Sequence, residues 1–242
     1  MTQRVGVMGG TFDPIHLGHL RVAEEAVEAL ELDTLLFVPA AIPPHKLGKI
    51  ILPFEHRWQM LRLATEQHAR FKTSDIERRL PGKSYTVVTL QKLSEERSGA
   101  VELFFVAGLD AFLEVDTWWH FKELFELAQM VVLRRPGYNE SEMNGFLKDR
   151  VSSLYTYSVG EACYRHPHLL PVHYLENTWL DISSTRIRQL VKEGKSIRYL
   201  VIPEIMHYIH ANQLYRGEER FETEPYRPED VWDCRQSEGN GG

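Results

Sequence analysis

Apolar residues along the chain alternate between the spacing typical of strands and the spacing typical of helices. Residues 4–8 and 34–38 are short apolar runs of strand length. Between them, residues 17–30 carry apolar side chains three and four positions apart, which indicates one buried face of a helix. A strand, a glycine turn, a helix and a second strand in this order predict a βαβ unit at the start of the chain.

The same alternation continues as far as residue 214. Further strands are predicted at residues 71–76, 101–107, 130–133 and 172–175. Further helices are predicted at residues 54–67, 84–97, 121–127, 183–193 and 203–214. We interpret residues 39–53, which include four prolines, as a long loop, whereas the polar residues 138–170 give no clear pattern. Strands that alternate with helices predict an α/β, Rossmann-like, doubly wound fold, with a mostly parallel sheet covered by helices on both faces.

Composition and charge limit the function classes and the domain organisation. The chain is 43% hydrophobic and 26% charged, as in a soluble globular protein, and no apolar run is long enough to suggest a membrane span. Five of its six net negative charges lie in residues 218–242, so the remainder is nearly neutral and shows no basic surface for nucleic acid. We therefore expect one domain at residues 1–217, with a small helical part from about residue 183, and a loosely ordered acidic tail at 218–242.

Cysteine usage agrees with a cytoplasmic location. Cys163 and Cys234 are the only cysteines, and they form no CxxC pair. A disulfide framework or a cysteine zinc site is therefore not expected.

The end of the first strand carries the residues most suggestive of chemistry. Gly9, Gly10 and Thr11 lie where an open α/β sheet binds ligands, and glycines there expose backbone N–H groups to an anion. His16 and His19 follow at a spacing of three, so both rings share one face if the helix begins near residue 14 or 15. The start of a helix favours phosphate, and a glycine at position 18 leaves space for a ligand.

Other roles for the histidine pair are less well supported. A metal site needs further ligands, and neither an HExxH pattern nor a cysteine partner accompanies the pair. Histidines at the surface or in the core remain an alternative. A Walker A loop is absent, and no GxGxxG follows this strand, so the pattern favours a different kind of phosphate site.

A second anion site is indicated near the C-terminus. Ser183 or Ser184 is suited to cap the helix that follows, and Arg188 lies one turn further on. An ordinary capping sequence with exposed arginines would look the same, so this segment alone leaves that alternative open.

Both segments resemble the signatures of the HxGH nucleotidyltransferase superfamily. The first is GGTFDPIHLGH at residues 9–19, and the second is ISSTRIR at 182–188. The resemblance implies that His16, His19 and Arg188 contact the phosphates of ATP and stabilise the transition state of adenylyl transfer. It also assigns a larger set to ATP binding: Gly9, Gly10, Thr11, Phe12, Gly108, Ser183, Ser184 and Thr185.

Further stretches resemble one family, the bacterial nicotinate-mononucleotide adenylyltransferases. They are VPAAIPPHK (38–46), SYTVVTL (84–90), GLDAF (108–112) with Trp118, RRPG (134–137) and YLVIPEIMHYIHANQLY (199–215). The resemblance implies that backbone N–H groups of Thr86 and Trp119 hold the nicotinate carboxylate and that Trp118 stacks on the pyridine ring. Asp110 is expected at ribose hydroxyls, and Lys46, Arg135 and Thr11 at the mononucleotide.

Each of these assignments has a structural alternative. The two tryptophans could serve the core or an interface, Asp110 could cap a helix, and Lys46 could be an ordinary exposed lysine. The family often has an acidic residue where this chain has Val88, a change that removes repulsion near the carboxylate rather than a contact.

The resemblance implies adenylyl transfer from ATP to nicotinate mononucleotide, with Mg²⁺ held mainly by the ATP phosphates. The alternatives are a nicotinamide-mononucleotide or phosphopantetheine adenylyltransferase, and a nucleotide-binding module without catalysis. ATP and nicotinate mononucleotide are the expected partners, neither nucleic acid nor a membrane is expected, and assembly with further copies of the chain stays open.

Overall fold

The computed structural model describes residues 2–43, 51–97 and 100–217. The expectations for Lys46 and for the acidic tail at 218–242 therefore lie outside the described residues. Among the described residues, no helix is both long enough and apolar enough to cross a lipid bilayer.

The described residues form one eight-stranded sheet with the strand order β3-β2-β1-β4-β5-β8-β7-β6. The six strands from β3 to β8 in this order pair in parallel, and β7 and β6 add an antiparallel edge. The strands are β1 (Gln3–Gly10), β2 (Thr34–Pro39), β3 (Phe71–Thr73), β4 (Val101–Gly108), β5 (Gln129–Leu133), β6 (Thr156–Ser158), β7 (Cys163–Arg165) and β8 (Val172–Leu175).

Helices connect these strands and cover the sheet. They are α1 (Leu17–Ala29), α2 (Phe54–Thr65), α3 (Ile76–Arg79), α4 (Thr86–Glu95), α5 (Leu109–Phe112), α6 (Phe121–Leu127), α7 (Glu140–Phe146), α8 (Ser184–Lys192) and α9 (Pro203–Ala211). The described connections also include a 3-10 turn at Val115–Thr117 and a π-helical turn at Leu147–Val151.

Two apolar cores lie on opposite faces of the sheet. Because strand side chains alternate between faces, Val5 and Val7 of β1 enter one core while Met8 enters the other. The core that contains Met8, called the first core below, packs α1, α2, α8 and α9 against the sheet. The second core, which contains Val5 and Val7, packs α3 to α7. The predicted α/β fold with helices on both faces is confirmed.

The pattern of apolar residues did not reveal the structure of residues 138–170. They hold α7, the π-helical turn and the two strands of the antiparallel edge. Strands of three residues are too short to display a period of two, which explains the omission. The predicted strand at 71–76 is also too long, because it ends at Thr73 and the fully buried Ile76 begins α3.

Candidate active site

The first predicted site follows the carboxyl end of the central strand β1, where the carboxyl ends of the parallel strands form one edge of the sheet. Parallel strands β2 and β4 flank it, and its last residues, Gly9 and Gly10, lie beside Val38 and Pro39 of β2. Within the described residues, two cavities open at this edge, with volumes of about 580 and 430 Å³. Thr11 lines both of them, so the two cavities meet at the end of β1.

The larger cavity gathers most of the residues predicted to bind ATP. They come from two parts of the chain more than 160 residues apart: Thr11, Phe12, His16, His19, Ser183, Ser184, Thr185 and Arg188. Asp110 and Arg135, which were predicted for the mononucleotide, also line this cavity. Gly9 and Gly10 line the smaller cavity instead, and Gly108 lines neither.

The two histidines stack on each other at the start of α1, with ring centroids 3.7 Å apart. The helix begins at Leu17, later than expected, so His16 is its extended N-cap residue. The backbone N–H of His16 donates to Nδ1 of His19 across 3.3 Å. A neutral His19 must then carry its proton on Nε2, which makes that nitrogen a hydrogen-bond donor.

His16 is buried, and this determines its charge. Burial, together with the positive charge of Arg135, lowers the pKa of His16 to about 4. The ring is therefore neutral at physiological pH and can donate one N–H but adds no charge. Gly18 leaves room for this ring, because a Cβ there would lie 3.0 Å from Nδ1 of His16.

The start of α8 is tied to the loop after β1. Arg188 Nη1 donates to the carbonyl of Asp13 at 2.7 Å, and Ser184 Oγ donates to the carbonyl of Pro14 at 2.8 Å. Ser183 is the N-cap residue, and its Oγ accepts from the backbone N–H of Arg186. The Ser184 hydroxyl uses its one proton on a carbonyl, so α8 offers an anion its backbone N–H groups.

Arg57 of α2 also holds the loop after β1, a role that was not predicted from the sequence. Its side chain is 2% exposed. Its Nη1 donates to the carbonyl of Thr11 at 2.8 Å and its Nε to that of Leu52 at 3.0 Å. The sequence does contain a signal for this role. Arg57 lies one turn before Met60 and Leu61, which are buried, and an arginine on an apolar helix face requires buried hydrogen-bond partners.

The smaller cavity gathers the residues predicted for the nicotinate ring. Thr86, Trp118 and Trp119 line it together with Gly9, Gly10 and Thr11. Trp118 packs edge-on against Phe105, with ring centroids 6.0 Å apart, and Trp119 is 41% exposed.

Helix α4, which borders this cavity, begins with Thr86 as its first residue. The helix predicted from residue 84 therefore begins two residues later, and its N-cap residue is Tyr85. The Ser84 Oγ instead accepts the backbone N–H groups of Ala41 and Ile42, at 2.9 and 3.1 Å, so it fastens the loop after β2.

A buried carboxyl in this cavity was also missed by sequence reasoning. Glu77 of α3 lines the cavity, and its Oε1 accepts from Thr89 Oγ1 at 2.9 Å. Burial raises the pKa of this carboxyl.

Asp110 and Arg135 form an ion pair at 3.1 Å above Gly108. A Cβ at position 108 would lie 2.5 Å from Asp110 Oδ1 and 2.7 Å from Arg135 Nε, so the pair needs a glycine there. Gly108 is also the N-cap residue of α5, so the alternative role of Asp110 as that cap is wrong. The Arg135 guanidinium lies 5.1 Å above the ring of Trp179, an aromatic residue of the cavity wall that sequence reasoning did not identify.

The chain is similar to known sequences over most of its length. A family model described as cytidylyltransferase-like matches residues 7–190. A protein of Geobacter metallireducens is 42% identical over 212 residues, covering 88% of this chain and 98% of the relative. A protein of Syntrophotalea carbinolica is 42% identical over 217 residues, covering 90% and 99%. Both carry the name probable nicotinate-nucleotide adenylyltransferase.

Solved structures share the fold at lower sequence identity. The chain superposes on the Plasmodium falciparum nicotinic acid mononucleotide adenylyltransferase complexed with NaAD, with a TM-score of 0.66 and 17% identity. The match covers 88% of this chain and 97% of that one. The same protein complexed with APC gives a TM-score of 0.63 at 16% identity.

Replacing Arg57 with methionine should destabilise the protein by about 2–5 kcal/mol, because two buried carbonyls lose their donor. Arg62 lies on the same helix but is exposed, so Arg62→Met should change the free energy of unfolding by less than about 0.5 kcal/mol. Urea unfolding of both variants measures the difference, and equal stability would show that Arg57 is not needed to hold the loop.

The His16 ring should remain unprotonated in the ligand-free protein down to about pH 5. NMR titration of the histidine resonances measures this, and the His16→Gln variant identifies the resonance of His16. Folding lowers its pKa from 6.5 to about 4, so the unfolded chain binds more protons between these pH values. The free energy of unfolding should therefore fall as the pH falls from 6.5 towards 4, and this dependence should weaken in His16→Gln. Protonation near pH 6.5 would contradict the buried, neutral ring.

Proposed function

We propose that this chain, which belongs to the nicotinate-nucleotide adenylyltransferase family of cytidylyltransferase-like proteins, transfers the adenylyl group of ATP to nicotinate mononucleotide. The products are nicotinate adenine dinucleotide (deamido-NAD) and pyrophosphate, in NAD biosynthesis. One observation carries the proposal: a cavity lined by histidine, arginine and a helix start meets an aromatic cavity at Thr11.

The reaction needs little acid–base chemistry. An oxygen of the mononucleotide phosphate attacks the α-phosphorus of ATP in line, a new O–P bond forms, and the bond to pyrophosphate breaks. A phosphate is already an anion at neutral pH, so no side chain has to remove a proton. Catalysis therefore consists of positioning and of stabilising charge in the transition state.

The larger cavity supplies donors for the triphosphate. The Nε2–H of a neutral His19, the N–H of neutral His16 and the Arg188 guanidinium all belong to this cavity. The N-terminal backbone N–H groups of α8, around Ser183 to Thr185, add further donors. Because His16 is neutral, its ring adds no charge to the site near neutral pH, and the arginines supply the fixed positive charge.

The smaller cavity suits an aromatic carboxylate. Trp118 offers a flat face, and the first turn of α4 offers N–H groups without an intrahelical partner. The first turn of α4 contains no acidic residue, because Val88 stands where the family often has one. The start of this helix therefore favours a carboxylate over a neutral carboxamide, which supports nicotinate rather than nicotinamide.

The placement of Asp110 and Arg135 suits a substrate that spans both cavities. If the pyridine ring occupies the smaller cavity, the ribose and phosphate must pass Thr11 to reach ATP. Asp110 and Arg135 line the larger cavity, in which a carboxylate can accept from ribose hydroxyls and a guanidinium can bind the phosphate.

Magnesium fits this site as an ion carried by ATP. Within the described ranges, no group of three or more histidine, cysteine or acidic side chains could hold a metal. Three aspartates line the cavity, and two of them, Asp13 and Asp110, already have partners in Tyr215 and Arg135. Oxygens of the triphosphate and water are the ligands that Mg²⁺ prefers, and bound there it neutralises phosphate charge.

His19→Ala should lower kcat for pyrophosphate release from ATP and nicotinate mononucleotide by about two orders of magnitude or more, as for a lost transition-state donor. His207→Ala, an exposed histidine of α9, should leave kcat unchanged. Wild-type turnover in a folded His19→Ala protein would remove this residue from the mechanism.

Gly108→Ala should raise KM for the mononucleotide about tenfold, the size expected when one charged hydrogen bond is displaced, because a Cβ there collides with the Asp110–Arg135 pair. Gly145→Ala in α7 is the control, since no atom lies within 4 Å of its Cβ position. Steady-state kinetics on both variants provide the measurement, and an unchanged KM for Gly108→Ala would contradict the role given to the pair.

A further inference from the structure

The last described turn of the chain reaches back to the first predicted site. Tyr215 OH donates to Oδ1 of Asp13 at 2.7 Å, across 202 positions of sequence. Asp13 is 3% exposed and lies in the loop between β1 and α1, directly beside the larger cavity. A hydroxyl from the C-terminal segment therefore contacts a buried carboxylate of the proposed ATP site.

The backbone of Tyr215 has an unusual conformation where it makes this contact. Its φ is 64°, in the left-handed region that residues other than glycine adopt at a cost. The preceding Leu214 is 2% exposed and anchors the segment in the first core, against which the Tyr215 ring also packs. The surrounding packing thus holds the hydroxyl at the carboxylate despite the unfavourable backbone.

Asp13 also faces Arg188. The guanidinium donates to the backbone carbonyl of Asp13 at 2.7 Å, while its distance to the carboxylate Oδ2 is 3.9 Å. The carboxylate thus stays just beyond a close ion pair with Arg188, and its other oxygen is engaged by Tyr215. A guanidinium without a close carboxylate partner is better able to bind an incoming phosphate.

We propose that Tyr215 is a positioning residue for ATP binding: its hydroxyl restrains the Asp13 carboxylate and thereby keeps the Arg188 guanidinium available to the triphosphate. Two cations act on Asp13, and one of them, Arg57, already donates to the carbonyls of Leu52 and Thr11. Without the hydroxyl, the buried carboxylate loses a donor and turns towards the other cation, Arg188, to replace it. The resulting close pair would withdraw Arg188 from the cavity. This inference rests on the proposed role of Arg188 in ATP binding.

Tyr215→Phe removes only the hydroxyl, and Tyr208→Phe is a matched control. The Tyr208 hydroxyl bonds His56 Nδ1 at 2.9 Å, between α9 and α2. We expect Tyr215→Phe to weaken ATP binding, measured by calorimetry without a second substrate, by about tenfold, the scale of a lost hydrogen bond to a charged group. KM for ATP should rise similarly, KM for the mononucleotide should stay within about twofold, and Tyr208→Phe should bind ATP as the wild type does.

A purely structural role gives a different result. In that case Tyr215→Phe and Tyr208→Phe would lower the melting temperature alike and bind ATP with wild-type affinity, which would overturn the proposal. Equal weakening of ATP binding by both variants would also overturn it.

The Asp13→Asn variant provides a second test. It keeps an oxygen that Tyr215 can donate to but removes the charge that attracts Arg188. Adding Tyr215→Phe to Asp13→Asn should therefore change ATP affinity by less than about twofold, since two changes in one network are not additive. A full tenfold loss in the Asp13→Asn background would overturn the coupling.

The ATP-binding comparison is independent of the identity of the second substrate. If the wild type binds ATP but releases no pyrophosphate with nicotinate mononucleotide, the proposed reaction fails while Tyr215 is still tested. If Tyr215→Phe binds ATP normally in an enzyme that turns over nicotinate mononucleotide, only the inference about Tyr215 fails.

Discussion

The loop at residues 11–14 leaves a buried strand before α1 begins, and its carbonyls need hydrogen-bond donors outside the sheet ladder. Buried carbonyls without donors cost free energy, so the fold supplies donors from distant segments. Arg57 bonds Thr11, Arg188 bonds Asp13, and a serine of α8 bonds the next carbonyl. Because these donors come from α2 and α8, satisfying this loop also brings the second predicted signature to the first. The larger cavity is a consequence of that requirement.

The two cavities differ in the source of their attraction for anions. In the larger one, arginines carry the fixed charge while burial keeps His16 neutral. In the smaller one, a helix start acts without a cation among the lining residues that the structure describes, and the buried acid Glu77 shares the space. A triphosphate carries several negative charges and suits the cavity with arginines, whereas an aromatic monocarboxylate carries one and suits the cavity with a helix start.

The pattern of neighbouring residues was enough to predict features that depend on a single short segment of the chain. The βαβ unit, the helix at α8 and the paired histidines follow from residue spacing, and the resemblance added the reaction. Contacts between distant parts of the chain could not be predicted in this way. Nothing in the sequence indicates that Tyr215 bonds Asp13 or that Arg57 bonds the carbonyl of Thr11. Short elements escaped too, because three-residue strands have no measurable period. Residue spacing and the resemblance together thus indicate which residues line the cavities better than they indicate which contacts hold those residues in place.

We propose that the smaller cavity recognises the carboxylate of nicotinate mononucleotide, while the phosphate of that mononucleotide accepts the adenylyl group of ATP bound in the larger cavity. Pyrophosphate release with ATP and either nicotinate mononucleotide or nicotinamide mononucleotide, compared side by side as kcat/KM, tests it most directly. We expect at least about a tenfold higher kcat/KM for the acid, the difference that one charged hydrogen bond provides. Equal turnover of the two, or preference for the amide, would contradict it.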